Sequence, residues 1–339
     1  MAGLFRDCMV MLSGLFPFRT LQSFNNYKII FPFYHLVANE RVPHVVHLYP
    51  YKSEREFEKD LDFLLKHYKP VSLSEFRQQH VQGKSPDYNS FLLTFDDGLK
   101  EFKEVIVPIL LKKGIPAVNF LNSGFIDNKD LFFRYKASLL VEEIQQNKVD
   151  WRNLTRLFRE HGYKEDIKRT LLGISYHERE FLDIVAGHLG VSFRDYLETE
   201  KPYMTSEDIK SLTKIGFDFG GHSIDHPEYW NLDLGDQIRQ TLSSIDTVTN
   251  LTNSDFRLFS FPFSDEWVKG AFFGNDAIIS KVDLLFGTSG MKKEQHSGHF
   301  QRIALEMREG KANAEAILRY EYMCFFFKIF LNRNTIYRN

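Results

Sequence analysis

Phe91-Leu-Leu-Thr-Phe-Asp-Asp-Gly98 is the stretch that decides how this chain folds. An apolar run rich in β-forming residues ends abruptly in two adjacent carboxylates and a glycine. The run reads as a buried strand, and Asp96-Asp97-Gly98 as the turn at its carboxyl end. Open α/β sheets and parallel barrels place their chemistry in the loops at strand carboxyl ends. Two neighbouring aspartates repel one another, and a divalent cation, which suits hard carboxylate oxygens, relieves that cost. The same residues also make ordinary turns, hydrogen-bonding their own backbone. Taken alone, the stretch leaves both readings open.

A second segment, Gly220-Gly-His-Ser-Ile-Asp-His-Pro227, follows the apolar alternation of Ile215 to Phe219. His222 and His226 stand four residues apart. With the aspartate pair on another strand end, they form a candidate two-histidine, one-carboxylate set, which leaves positions open for water and substrate. A lone histidine more often has a structural role, so it is the combination that carries weight.

Thr94-Phe-Asp-Asp-Gly98 and His222-Ser-Ile-Asp-His-Pro227 resemble the first two motifs of the polysaccharide deacetylase family of carbohydrate esterases. Phe259-Ser-Phe-Pro-Phe263 resembles the third, a strand ending in proline and an aromatic residue. The order matches, and the resemblance spans roughly residues 28 to 305. It implies that Asp97, His222 and His226 hold a divalent metal and that Asp96 is the general base. It also implies that the Phe263 backbone N–H helps stabilise the oxyanion. Zinc is the default ion for such a set, with cobalt, nickel and manganese also suited. Ser223 and Asp225 are expected to hold the loop.

Two departures from the family pattern stand out. The family carries an arginine two residues before the motif proline, where it orients the catalytic aspartate; this chain has Ser260. Arg257 lies on the same strand at an odd offset and should point to the opposite face. The family's late Leu-x-His motif, source of the general acid, has no clean match. His299, in Gln295-His-Ser-Gly-His-Phe300, is the first candidate for that role. His35, ending Ile29-Ile-Phe-Pro-Phe-Tyr-His35, is the second, as a residue facing the substrate pocket.

Strand and helix patterns alternate from residue 28 to 133 and again from 205 to 310, as a parallel sheet or barrel requires. Ser53-Glu-Arg-Glu56 and Thr205-Ser-Glu-Asp208 are capping boxes, and Gly114 occupies a C-cap place. Residues 134–204 read instead as charged amphipathic helices without strands. They form an insertion that either shapes substrate access or elaborates packing away from the site. Residues 1–27 form an apolar N-terminal extension. Residues 311–339 contain an aromatic helix suited to docking in the core, sealing the barrel or lying on a membrane surface. The predicted fold is α/β, a distorted and incomplete barrel of parallel strands ringed by helices.

The 339 residues fit one barrel-type domain, and 43% hydrophobic residues allow a large core. A formal charge of −2 gives no nucleic-acid footprint. Two cysteines near opposite ends, Cys8 and Cys324, suggest no disulfide framework. No apolar run reaches the roughly 18–20 residues of a membrane span. The short apolar stretch 8–16, abutted by Asp7, lacks a clean signal-peptidase site, so a cytoplasmic location, free or membrane-associated, is expected. The expected activity is metal-dependent removal of acetyl groups from N-acetylated sugars of a polysaccharide or glycan precursor. Two rivals stand beside it: a hydrolase of another C–N amide bond, and a degenerate relative that binds metal or glycan without turnover. A cation reaching Asp96 would count against the second.

Overall fold

The computed structural model describes residues 11–23, 27–83, 87–164, 166–306, 312–331 and 333–338. Asp7 and residues 8–10 of the 8–16 stretch, Cys8 among them, lie outside them. Eight parallel strands form one nearly closed sheet: β1 (Pro32–Tyr34), β2 (Leu93–Phe95), β3 (Ala117–Leu121), β4 (Asp218–Gly221), β5 (Leu258–Ser260), β6 (Leu284–Gly287), β7 (His299–Gln301) and β8 (Ile303–Ala304). Their order is β7-β6-β5-β4-β3-β2-β1-β8. Only Arg302 separates β7 from β8, so one segment pairs with β6 at one end of the sheet and β1 at the other. That segment is the seam of the barrel.

The helices start and stop for local reasons. In α1 (Glu54–His67), both arms of the Ser53–Glu56 capping box are made, and Phe57, Leu61 and Leu64 face the core. In α2 (Leu73–Val81), Ser72 and Glu75 repeat the device. The helix that Gly114 ends begins with a π-helical turn, Phe102–Ile106, before α3 (Val107–Lys113). Pro108 sits in the first turn of α3, directly after the π-helical turn. Gly114 ends that helix at φ 65°.

After β3 come α4 (Phe133–Gln146), α5 (Trp151–Glu160), α6 (Ile167–Gly173), α7 (Glu180–Leu189) and α8 (Phe193–Glu200). They share a hydrophobic cluster of Leu140, Leu154, Leu171, Leu182 and Val185 that continues into Leu36 and Val45 of the loop after β1. The chain then returns through α9 (Ser206–Lys214), capped by Thr205 and Asp208, to β4. After β4 comes α10 (Leu234–Thr252). It approaches β4 so closely that a Cβ at Gly221 would lie 3.0 Å from the Ile245 amide nitrogen, which glycine alone avoids.

The terminal helix α11 (Ala314–Phe330) buries Ile317, Leu318, Tyr322 and Phe325 in the core, and the Tyr322 hydroxyl meets that of Tyr68 at 2.8 Å. Tyr322 and Phe325 are thus core packing, while Phe327 is exposed. Among the described residues, no helix is long and apolar enough to cross a membrane.

Candidate active site

The loops at the carboxyl ends of β1, β2, β4 and β5 converge on one buried group. Asp97 follows β2 in the left-handed region, φ 72°, as do Ser223 (70°), His226 (59°) and Phe263 (54°) in the two other motif loops. For residues with a Cβ this backbone costs of order 1–3 kcal/mol each and persists only where surroundings enforce it. Four such positions in three loops mark a place shaped for chemistry.

Asp97 Oδ1 lies 3.6 Å from His222 Nε2 and 3.4 Å from His226 Nε2. The His222 Nδ1–H donates to the Ser260 carbonyl at 2.8 Å, which fixes the tautomer and leaves the Nε2 lone pair facing Asp97. Burial pushes both imidazoles toward the neutral, ligand-competent form. For His222 the neighbouring carboxylates oppose this without reversing it; for His226 the shift is larger. Asp97 Oδ1 is buried without a protein hydrogen-bond partner. Its other oxygen, Oδ2, accepts from the Tyr135 hydroxyl at 2.7 Å. One carboxylate oxygen and two imidazole nitrogens lie within 4.8 Å of one another. An orphaned buried oxygen facing two neutral imidazoles fits a divalent cation, which would bind through all three.

The loop that presents the histidines is pinned by its own sequence. Ser223 Oγ accepts from the His226 amide at 3.0 Å, and Asp225 is held by Gln240 and Tyr176.

Asp96 is buried, and Arg302 grips it. The two guanidinium nitrogens donate to its two oxygens at 2.7 Å each. Burial alone would raise the carboxyl pKa, but Arg302 outweighs it with help from His222, and Asp96 is held below the usual carboxylate range. Arg302 also donates to Thr94 Oγ1 and to Ser260 Oγ at 2.5 Å, and lies over the rings of Phe33 and Phe120. The motif position occupied by Ser260 therefore touches an arginine rather than being one. Arg257 points outward, as its offset required, to Asp246 and the Lys281 carbonyl.

His35 follows β1 directly, and the Tyr34–Phe95 register puts it level with Asp96. Its Nδ1–H donates to Glu306 Oε2 at 2.8 Å, while the His35 and Leu36 amides bind the same carboxylate. Burial lowers the imidazole pKa, yet Glu306, with lesser contributions from Asp97 and Asp96, raises it to about 9. Phe263 places its ring 4.6 Å from that of His226, and its carbonyl accepts from Thr288.

His299 lies elsewhere. It belongs to β7 rather than to a loop before the last strand, and its ring packs on Phe261 and Phe273 in the outer layer. Asp265 at 3.2 Å and Glu294 at 3.4 Å flank it, and Arg338 Nη2 pairs with both carboxylates. Burial would lower the His299 pKa, but the two carboxylates raise it. Two anions thus meet two cations. The Asp265–Glu294–His299 group has the right residue types for a metal, but the guanidinium already stands in the cation's place. Arg338→Ala is expected to cost about 3–5 kcal/mol, the usual penalty for stranding a buried charge, visible as a lower denaturant midpoint.

Arg302, Glu306 and Tyr135 were not singled out by the sequence. The signal for the first two was an arginine and a glutamate bracketing the apolar Ile303-Ala-Leu305. Tyr135 gave none.

A family model for polysaccharide deacetylase matches residues 83–177 and 185–271, more than half of the chain. No curated protein matches the sequence. Several solved structures share the fold. The Streptococcus pyogenes deacetylase PplD, in complex with acetate, aligns at TM-score 0.54 and 14% identity, covering 87% of this chain and 98% of that one. IcaB from Ammonifex degensii aligns at TM-score 0.51 and 14% identity, covering 88% and 98%. A de-N-acetylase from Aggregatibacter actinomycetemcomitans aligns at TM-score 0.52 and 14% identity, covering 86% and 99%. By its motifs, its barrel and the extent of the family match, the chain belongs to the polysaccharide deacetylase family.

Proposed function

We propose that this protein is a metal-dependent deacetylase that hydrolyses the acetamido group of N-acetylated sugars in a polysaccharide or glycan precursor. The observation that carries the reading is an ionised, arginine-gripped Asp96 adjoining the Asp97–His222–His226 donor set. A divalent ion bound there, zinc by default, would supply Lewis acidity toward the amide carbonyl and acidify a water.

The chain's own residues carry the remaining steps. Asp96, kept anionic by Arg302, takes a proton as the water oxygen attacks the acetyl carbon. The Phe263 amide, presented by its left-handed backbone, is assigned to the developing oxyanion. The C–N bond then breaks, and His35, held by Glu306, gives its proton to the leaving sugar nitrogen. The products are acetate and a free amine. His35 takes the acid role rather than His299 because it stands level with Asp96, whereas His299 is enclosed among Asp265, Glu294 and Arg338.

The binding-without-turnover reading rested on Ser260 and on the missing acid motif. Arg302 and the His35–Glu306 pair weigh against it. The Aggregatibacter actinomycetemcomitans neighbour is named a de-N-acetylase, which supports the N-acetyl bond over other C–N amides.

The test is acetate release from a panel of N-acetylated oligosaccharides by zinc- or cobalt-loaded protein. Asp96→Asn is expected to lower turnover about 10²–10⁴-fold while metal is retained. His222→Ala is expected to lose metal and activity together. Stoichiometric metal with no acetate from any substrate would favour the binding reading, and no metal in the wild type would sink the proposal.

A further inference from the structure

The helical insertion reaches the metal ligands. Tyr135, in the first turn of α4, donates its hydroxyl to Asp97 Oδ2 at 2.7 Å. Phe132, the residue that caps α4, sets its ring 4.2 Å from that of His226. Two of the three donors are therefore touched by this one helix start. Resting on the metal reading above, we propose that Tyr135 is a positioning residue: by holding Oδ2 it restricts Asp97 to binding the ion through Oδ1 alone.

The argument turns on how a carboxylate can bind. With both oxygens free, Asp97 could chelate a cation in bidentate fashion and fill two coordination positions. Here the two oxygens are unequal. Oδ1 faces His222 and His226 and has no hydrogen-bond partner, whereas Oδ2 is turned to the phenol. One-point binding leaves three protein ligands and keeps the remaining positions for water and the substrate carbonyl. Hydrogen bonds to metal-bound carboxylates typically contribute 10–100-fold in affinity.

The phenol is itself fixed. Tyr135 is fully buried, with ring contacts to Phe132 at 5.0 Å and His44 at 5.0 Å. The Tyr49 hydroxyl lies 3.3 Å from that of Tyr135. Because Tyr135 spends its proton on Asp97, Tyr49 must be the donor in that pair. A relay Tyr49→Tyr135→Asp97 therefore joins the loop after β1, the insertion and the end of β2.

Full-length Tyr135→Phe keeps the ring and removes the hydroxyl. Its zinc affinity, from competition with a chromophoric chelator, is expected to fall 10–100-fold. The visible spectrum of the cobalt-loaded protein should change in intensity as Asp97 becomes free to chelate. Tyr203→Phe is the control, since the Tyr203 hydroxyl accepts from the Phe132 amide in the same cluster without touching Asp97. It should keep wild-type affinity and spectrum whatever it costs in stability. Wild-type affinity and spectrum for Tyr135→Phe would overturn the proposal, as would an equal loss in Tyr203→Phe, which would make the role one of packing. Should Tyr135→Phe fail to fold, Tyr49→Phe is expected to shift affinity in the same direction by less, and no shift would overturn the relay. A wild-type protein that binds no metal would fail the metal reading, a result seen before any variant is made and so distinguishable from failure of the Tyr135 role.

Discussion

Arg302→Ala is expected to abolish measurable acetate release and to lower stability by about 3–5 kcal/mol. The guanidinium is buried together with Asp96, so removing it strands a carboxylate rather than deleting a surface pair. Burial, which alone would raise the Asp96 pKa, then meets less opposition. The acid limb of the rate profile should move to higher pH, because more of the base is protonated at any given pH. The sign for stability follows. A carboxyl held low contributes above its unfolded pKa and loses that contribution as pH falls through the folded value. The variant should lack this contribution and show a weaker dependence of stability on pH in the acid range. Arg302→Lys should recover only part of either effect, since an ammonium cannot grip two oxygens in parallel. The sharper test is compensation. Ser260 Oγ lies 2.5 Å from an Arg302 nitrogen, so Ser260→Arg in the Arg302→Ala background can fill the vacated space from β5. Recovery of both denaturant midpoint and turnover would show that the cation matters more than the strand that delivers it. Full activity in Arg302→Ala alone would remove Arg302 from the mechanism.

That relocation explains what could and could not be read beforehand. The aspartate pair and the two histidines are local signals, each a short loop after an apolar strand, and the fold class followed from the alternation around them. Arg302 is 206 residues from its partner and lies on the seam, where barrel closure alone brings it to Asp96. No periodicity encodes that meeting. His299 lies just ahead of the apolar Ile303-Ala-Leu305, and the sequence alone does not show that the last strand already runs through it. The strand in fact begins at His299 and is interrupted at Arg302, and its outward-facing start carries the imidazole into the outer layer. Glu306 closes the same segment and holds His35. Tyr135 enters from a stretch whose helical pattern spoke only of packing, since one phenol on an apolar helix face is ordinary core material.

His35→Ala is expected to lower kcat/KM about 10²–10⁴-fold, the usual range for a positioned proton donor. The loss should be smaller for substrates whose leaving amine is a weak base, because these depend less on protonation. Glu306→Gln should act on the same step through pKa. In the metal-free protein the imidazole is raised to about 9, with Glu306 the main cause against burial. Its proton should be seen to titrate there by NMR, and the substitution should bring it down. A nearby divalent cation also lowers it, so in the loaded enzyme the alkaline limb of kcat/KM should fall below pH 9 and move lower still in Glu306→Gln. The linked stability has the opposite pH sense to that of Asp96. A raised histidine contributes fully below its unfolded pKa, near 6.5, and loses that contribution as pH rises through about 9. The metal-free wild type should therefore lose more stability between pH 6.5 and 9 than Glu306→Gln does. An alkaline limb that stays in place in Glu306→Gln, with His35→Ala still active, would leave the leaving nitrogen to be protonated by solvent. It would reduce the His35–Glu306 pair to a tie between β1 and the barrel seam.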